Sequence, residues 1–318
     1  MRRRFLAAGL GLAGLSLSGC GDAVKPGQAI LKVGSQKGGT KALVLASGVL
    51  EGAPYKVEWS EFPAAQHLLE AIGAGAVDLG AVGDAPFLFA YASGSKVRAV
   101  HASKGVGEGA GTALLVGKDS PIRTVAELRG RKVATGRGSI GHYLLLALLE
   151  GAGLKAVDVE TVFLSPGDAK AAFSSGAVDA WVTWGSYIFI ATRREGARIL
   201  ADGRGVLNGV GFEVAGIASI AAKRPQIADF LHRLSRAQRW SGDHQDAYAK
   251  VLAKETGLDE EIARLTVALN RGIPTPIDAT VVAQEQKVLD RFRAAGAITS
   301  NPDLAQAFDS SFNAAVGP

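Results

Sequence analysis

The chain of 318 residues contains only one cysteine, one methionine and five histidines. One cysteine excludes a disulfide scaffold and a thiolate metal cluster. The histidines do not have the spacing of a zinc motif such as HExxH; they are His67, His101, His142, His232 and His244. We therefore predict neither a metal site nor a cofactor.

A strong charge of one sign is also missing. The formal net charge is +5, but three of the 35 basic residues are Arg2, Arg3 and Arg4, ahead of any acidic residue. Removing these three leaves 32 basic against 30 acidic residues. A nucleic-acid-binding protein needs a concentrated basic face, and this near-neutral body gives no support for a nucleic-acid partner.

The first twenty residues have the pattern of an export signal. Three arginines precede an apolar stretch over residues 5–17, which is too short to span a bilayer. The arginines also fit a twin-arginine signal, which leaves the export route open between that and general secretion. We predict that residues 1–20 are a lipoprotein signal, because Leu17-Ser18-Gly19-Cys20 resembles a bacterial lipobox with lipid on Cys20. The alternative is ordinary cleavage near Ser18. We predict that residues 21–28 form a short tether after the signal.

The rest of the chain is long and apolar enough for two domains or one large domain, since 47% of all residues are hydrophobic.

The same order of predicted strands and helices occurs twice along this part of the chain. The first copy predicts strands at 29–34, 55–62 and 79–82, with helices at 42–50 and 64–74 between them. The second predicts strands at 132–135 and 159–164 and a strand-like run within 176–184, with helices at 142–152 and 168–174. Matched landmarks repeat at offsets of 100, 103 and 101 residues: Gly38 and Gly138, Pro63 and Pro166, Asp78 and Asp179.

Each copy predicts a β-α-β-α-β unit with parallel strands and helices on both faces. The fold class is therefore α/β, with two lobes and a ligand cleft at the carboxyl ends of their strands. We expect residues 29–113 in the first part of lobe 1, 114–214 in lobe 2, and 215–318 returning to lobe 1 as C-terminal helices. The predicted helices of this last part are 226–240, 245–256, 259–270, 280–295 and 302–314.

A literal GxGxxG motif lies between a strand and a helix at residues 136–141. One interpretation is a dinucleotide site, with Asp158 or Glu160 downstream; another is a plain turn with a helix cap. Export argues against a nicotinamide cofactor. We favour a small oxyanion at the helix N-terminus, with Ser139 capping or donating and Arg137 adding positive charge.

Three further side chains are candidates for the cleft. Lys37 lies in the matching turn of the first copy, although a lysine on a loop is commonly only solvated. Asp84 follows the strand at 79–82 and is suited to cap the next helix or to accept from a ligand amine or hydroxyl. Trp181 and Trp184 lie three apart on a strand and face opposite sides, so one fits the core and Trp184 fits an apolar wall of the cleft.

Catalytic patterns are missing. The sequence has no G-x-S-x-G elbow, and Ser139 and His142 lie on one helix end without an evident orienting acid. We predict no catalytic residue and no enzyme.

Several sequence segments resemble those of the periplasmic aliphatic sulfonate-binding proteins of bacterial ABC importers. This group is similar to the taurine- and nitrate-binding proteins. The resemblance covers about residues 29–222 and is carried by the segments 57–63, 82–86, 118–122 and 176–181. It implies a two-lobed type II binding protein that closes on its ligand by a hinge motion. In one place the chain departs from the family: the second-lobe Trp184 is followed by Gly185-Ser186 rather than by an acidic residue and proline.

We therefore expect a binding component of an ABC importer that captures a small organosulfonate outside the cytoplasm and delivers it to an inner-membrane permease. The alternatives are taurine, a sulfate ester, nitrate or another small anion, and an exported enzyme that uses the GxGxxG turn. We expect a monomer that is periplasmic or otherwise extracytoplasmic and anchored by its lipid. The predicted ligand-binding residues are Gln36, Lys37, Gly38, Phe62, Gly83, Asp84, Arg137, Gly138, Ser139, His142 and Trp184.

Overall fold

The computed structural model describes residues 28–36 and 39–317; the predictions for the signal, Cys20, Lys37 and Gly38 lie outside these residues. The first region alternates strands and helices. In chain order its elements are β1 (Ala29–Gln36), α1 (Thr40–Ser47), β2 (Tyr55–Phe62), α2 (Ala65–Gly73), β3 (Leu79–Gly83), α3 (Asp84–Ala92) and β4 (Val97–Gly105).

The second region repeats this alternation after one additional strand. Its elements are β5 (Thr112–Val116), β6 (Lys132–Thr135), α4 (Ile140–Gly151), β7 (Glu160–Phe163), α5 (Pro166–Ser174), β8 (Ala180–Trp184), α6 (Ser186–Arg194) and β9 (Arg198–Asp202). Pro166 occupies the first turn of α5, where its missing N–H costs no helical hydrogen bond.

The last region is mainly helical. It consists of β10 (Val210–Gly216), α7 (Ile217–Trp240), α8 (Gln245–Thr256), α9 (Glu260–Asn270), β11 (Gly272–Thr275) and α10 (Ala279–Ala294). The helix predicted at 302–314 is wrong: this segment forms two short 3-10 turns, Leu304–Gln306 and Ser310–Ala315. The Asp303 and Asp309 carboxylates accept from the N–H groups of Ala305 and Ser311, and each bond starts a separate turn.

Two sheets result, in the strand orders β11-β4-β10-β3-β1-β2 and β7-β6-β8-β5-β9. In the first, β1 runs parallel to β2 and β3; in the second, β6 runs parallel to β7 and β8. An antiparallel strand continues each sheet, β10 beside β3 and β5 beside β8. The predicted α/β class is confirmed, and the strands that enter from outside each repeat make the sheets mixed.

The chain changes sheets between β4 and β5 and again between β9 and β10. The expected lobe boundaries after residues 113 and 214 fall inside β5 and β10, so the division into lobes stays a prediction. Apolar clusters pack on both faces of each sheet. Helix α10 also packs against α4 of the second region, where the Phe292 ring lies 5.5 Å from that of His142. Within the described ranges, no helix combines the length and the apolarity that crossing a membrane requires.

Candidate functional site

A cleft of about 440 Å³ is lined by residues of both sheets. Its walls come from the places where strands end and helices begin, as expected for the carboxyl edge of parallel strands. Helices α1, α3, α4 and α6 all present their first residues to it. The lining pairs are Gly39 and Thr40, Gly83 and Asp84, Ser139 and Ile140, and Gly185 and Ser186.

Three of these four helices have glycine as the N-cap: Gly39, Gly83 and Gly185. Glycine has no side chain to cover the first N–H groups of a helix, which have no intrahelical partner. Gly185 has φ of 61°, a conformation that favours glycine, and a Cβ atom there would meet nothing within 4 Å. The Lys41 N–H of α1 already donates to the Ser35 hydroxyl, and the Ala85 N–H of α3 donates to the Asp84 carboxyl. The remaining N–H groups of these first turns and the positive ends of the helix dipoles together favour an anion in the cleft.

Helix α4 begins differently, with a serine cap. The Ser139 hydroxyl donates to the Gly136 carbonyl at 2.7 Å and accepts from the His142 N–H at 3.1 Å. The Ser139 carbonyl accepts from Tyr143, so the N–H groups of Ile140 and Gly141 precede the first bonds of the helix. Ser139 thus organises this end of the helix and is itself buried.

Close packing explains the glycines of the GxGxxG turn. Gly138 has φ of 65°, and a Cβ atom there would lie 2.5 Å from the Phe89 ring of the first region. A Cβ atom at Gly141 would lie 2.6 Å from Thr135 Oγ1. The two glycines allow the turn and helix α4 to approach their neighbours, which is a reason for the motif that requires no dinucleotide.

Four of the predicted site residues are not among those that line the cleft: Phe62, Arg137, Gly138 and His142. Phe62 packs against an apolar cluster, and the Arg137 guanidinium lies 4.0 Å from the centre of the Phe163 ring. His142 accepts from the Gly138 N–H at Nδ1, 3.2 Å away. Burial, with a smaller contribution from the Arg137 charge, lowers the pKa of His142 to about 4, so the imidazole is neutral at neutral pH.

Gln36, Gly83, Asp84, Ser139 and Trp184 do line the cleft. The Gln36 side chain is held in place because its Nε2 donates to the Ala81 carbonyl at 2.9 Å. Trp184 is partly buried and presents apolar surface, whereas Trp181 is only 1% exposed and lies in the core.

Asp84 belongs to a buried group of carboxyls that the sequence did not reveal. Its Oδ1 accepts from the Ala85 N–H, and burial raises the pKa of its carboxyl. Glu285 of α10 is fully buried, and its pKa is raised by burial and by the charge of Asp84. The Asn208 amide donates to Glu285 Oε1 at 2.8 Å. The N-cap of α3 is Gly83, and Asp84 is the first residue of the helix. Asp84 therefore does not occupy the N-cap position itself.

Thr40 and Glu213 are further lining residues that sequence reasoning missed. The Thr40 hydroxyl donates to Glu213 Oε1 at 3.4 Å. Glu213 is 4% exposed, and burial raises its pKa to about 8. The only signal in the sequence is an acidic residue inside an apolar strand, at Phe212-Glu213-Val214.

The chain matches the family model described as NMT1/THI5 like over residues 56–247. A protein of Escherichia coli (strain K12), named as an aliphatic sulfonates-binding protein, is 34% identical over 304 residues, 93% of this chain and 94% of that one.

Two solved structures are similar in sequence and in fold. The alkanesulfonate-binding protein from Xanthomonas axonopodis pv. citri bound to MOPS has a TM-score of 0.81 and 33% identity, covering 90% of this chain and 99% of that chain. The periplasmic aliphatic sulphonate-binding protein from Escherichia coli has a TM-score of 0.77 and 33% identity, covering 87% and 91%. The expected family resemblance is confirmed, and this chain belongs to the NMT1/THI5-like family, with aliphatic sulfonate-binding proteins among its relatives.

Proposed function

We propose that this chain is the substrate-binding component of an ABC importer and captures a small organosulfonate outside the cytoplasm for delivery to a permease. The observation that carries the proposal is the meeting of four helix N-termini at one cleft, three of them with glycine caps. Relatives named for sulfonate binding, similar over nine-tenths of this chain, support it.

The head group of the ligand is held by backbone N–H groups at the ends of α1, α4 and α6, since the Asp84 carboxyl already occupies the Ala85 N–H of α3. A sulfonate is a permanent anion with three acceptor oxygens, which fits several N–H donors that converge from different helices. Trp184, which is partly buried and lines the same cleft, supplies apolar surface for the tail. Lys37 and Gly38 complete the first-copy turn in this proposal, and both lie outside the described residues.

No bond is made or broken in this function. Binding favours a closed form by the difference in affinity between the open and closed states. The protein acts as a monomer, exported by its N-terminal signal and held at a membrane by lipid on Cys20. Relatives that are named as binding proteins, one of them as periplasmic, support the binding role and the location outside the cytoplasm.

A second candidate ligand class is motivated by the Gly185-Ser186 step. A Cβ atom at Gly185, beside Trp184, would meet open space, which leaves room for a bulkier ligand than a simple alkanesulfonate. Because neither Gly185 nor Ser186 is acidic, the site also suits a more anionic ligand. Taurine, sulfate esters and nitrate belong in the same test.

The test is thermal melting of a soluble form that begins after Cys20, with alkanesulfonates, aryl sulfonates, taurine, sulfate esters, nitrate and sulfate. A ligand at 100 times its Kd adds about 2.7 kcal/mol to the free energy of unfolding, which raises Tm by a few degrees in a protein of this size. We expect the shift with sulfonates, and recovery of the ligand unchanged. A folded, ligand-free protein whose Tm none of the sulfonates raises would contradict the proposal.

A further inference from the structure

Glu213 occupies an unusual place for an acidic side chain. It lies in the middle of β10, opposite Ala81 of β3 and His101 of β4. Its side chain is almost completely buried, yet it belongs to the wall of the cleft. Burying a carboxyl group without hydrogen-bond or ion-pair partners costs free energy, so a buried glutamate at this position requires a compensating interaction.

One oxygen of this carboxyl has a protein partner and the other has none. Oε1 accepts from the Thr40 hydroxyl, whereas Oε2 is buried and has no hydrogen-bond partner among the described residues. Thr40 is the first residue of α1. The unpartnered oxygen therefore lies beside one of the four helix ends that line the cleft.

The matching position in the second sheet shows that the fold does not need an acid here. Glu213 lies opposite Ala81, and the corresponding pair in the second sheet is Leu114 opposite Val182. Leu114 is fully buried in an apolar cluster. An apolar residue satisfies this place in the architecture, so the acid at Glu213 points to a role in the cleft.

The charged and titratable groups around Glu213 do not neutralise it. Lys41 of α1 is paired with Glu61 and Glu255, and His101 of β4 meets the Gln238 amide of α7 at Nε2. The other titratable groups on nearby walls are Asp84, Tyr187, Tyr248 and Arg271, and Arg239 of α7 is held by the Gly317 carbonyl. In the part of the chain that the structure describes, no cation forms an ion pair with Glu213.

An ionised carboxylate at this place would repel a bound sulfonate, and it could only accept hydrogen bonds. A neutral carboxyl has a different capacity, since its carbonyl oxygen accepts while its hydroxyl donates. Thr40 already donates to Oε1, which leaves Oε2 as the hydroxyl. Burial favours the same neutral form, in agreement with the raised pKa.

We propose that Glu213 contacts the ligand as a neutral carboxylic acid and donates a hydrogen bond from Oε2 to an oxygen of the sulfonate head. The inference rests on the proposed function, because it concerns the head group of the same ligand. A hydroxyl donor at Oε2 selects oxyanions whose oxygens are all acceptors at neutral pH, as in sulfonates and sulfate monoesters. A ligand that presents only a hydrogen-bond donor at this place cannot accept from Oε2 and loses this bond.

The test is the pH dependence of 1-butanesulfonate binding, measured by titration calorimetry between pH 6 and pH 9. Because the free site loses its proton near pH 8, we expect the wild-type affinity to fall about tenfold from pH 7 to pH 9. In Glu213→Gln the amide keeps a donor at every pH, and the affinity should change less than about threefold. Glu58→Gln, an exposed acid on β2, is the control and follows the wild type.

A second measurement needs only the wild type. At pH 8 the binding heat in two buffers of different ionisation enthalpy should show uptake of about half a proton per ligand. Proton release, or a Glu213→Gln pH profile parallel to that of the wild type, overturns the inference and leaves the proposed function intact. If the wild type binds neither 1-butanesulfonate nor any other sulfonate, the proposed function fails and this inference fails with it.

Discussion

The two copies of the β-α-β-α-β unit use the same aspartate in the same way. In the first copy Asp78 Oδ2 accepts from the Lys32 N–H at 2.7 Å, and in the second Asp179 Oδ2 accepts from the Lys132 N–H at 2.9 Å. The glycines three positions earlier, Gly75 and Gly176, both have φ of 76°. The repeated Gly-Ala-Val-Asp phrase therefore encodes a left-handed turn and a side chain that fixes the start of the neighbouring strand.

The surroundings of the two aspartates differ because the chain returns to the first sheet. Asp78 is buried and also binds the Ser219 hydroxyl and the Lys223 ammonium of α7. The Asp179 side chain is 36% exposed, and Arg131 is its ion-pair partner at 3.7 Å. The same local motif therefore contributes differently to the stability of the two copies. The contacts from α7 make the first copy depend more on its aspartate.

The largest expected effect separates these two roles. Asp78→Ala leaves a partly buried ammonium, a hydroxyl and an N–H group without their acceptor, so it should lower the free energy of unfolding by about 3–5 kcal/mol. Asp179→Ala exposes its partners to water and should cost about 1 kcal/mol or less. Urea denaturation of both variants measures the difference. Equal losses would mean that the return of the chain adds nothing to the first copy.

A second comparison concerns two glycines that both have φ of 65°, Gly138 of the second region and Gly48 of the first. Gly138→Ala places a Cβ atom against the Phe89 ring of the first region, and overpacking added to backbone strain should cost about 2–3 kcal/mol. Gly48→Ala meets open space, so only the strain of the left-handed conformation, about 1 kcal/mol, remains. Thermal unfolding of both variants at one pH distinguishes them. If Gly48→Ala proved as costly as Gly138→Ala, the contact with Phe89 would have no energetic weight.

The smallest effect concerns the serine caps within the second region. Ser139→Ala removes the acceptor of the His142 N–H and should lower the free energy of unfolding by about 1 kcal/mol. Ser165→Ala at the start of α5 removes an equivalent but exposed cap, and water replaces part of that bond. Chemical denaturation should show the larger loss at Ser139. The reverse order would show that burial does not strengthen the cap.

The repeated part of the fold could be predicted from the sequence because its information is local. The strands at 55–62 and 132–135 have the predicted bounds, since their apolar pattern and flanking turns specify them. Asp84, Ser139 and Trp184 are predictable as cleft residues because each lies at the carboxyl end of a predicted strand or shortly after it. The placement of residues at strand ends needs no knowledge of distant contacts.

The rest of the site depends on contacts between distant parts of the chain. Thr40 meets Glu213 across 173 positions and Asn208 meets Glu285 across 77, distances that a repeat pattern does not encode. The sequence does not indicate that β10 lies between β3 and β4, because the chain forms the other sheet before it returns and forms β10. The sequence predicts His142 as a cleft residue because it follows a strand. Its ring instead turns inward and accepts from the Gly138 N–H.

The proposed function requires that helix N-termini hold a sulfonate in the cleft that both sheets line. The most direct measurement is a crystal structure of the protein grown with 1-butanesulfonate. We expect sulfonate oxygens within hydrogen-bonding distance of N–H groups in the first turns of α1, α4 or α6, with the tail against Trp184. A sulfonate bound elsewhere, with these N–H groups contacting only water, would contradict the proposed function.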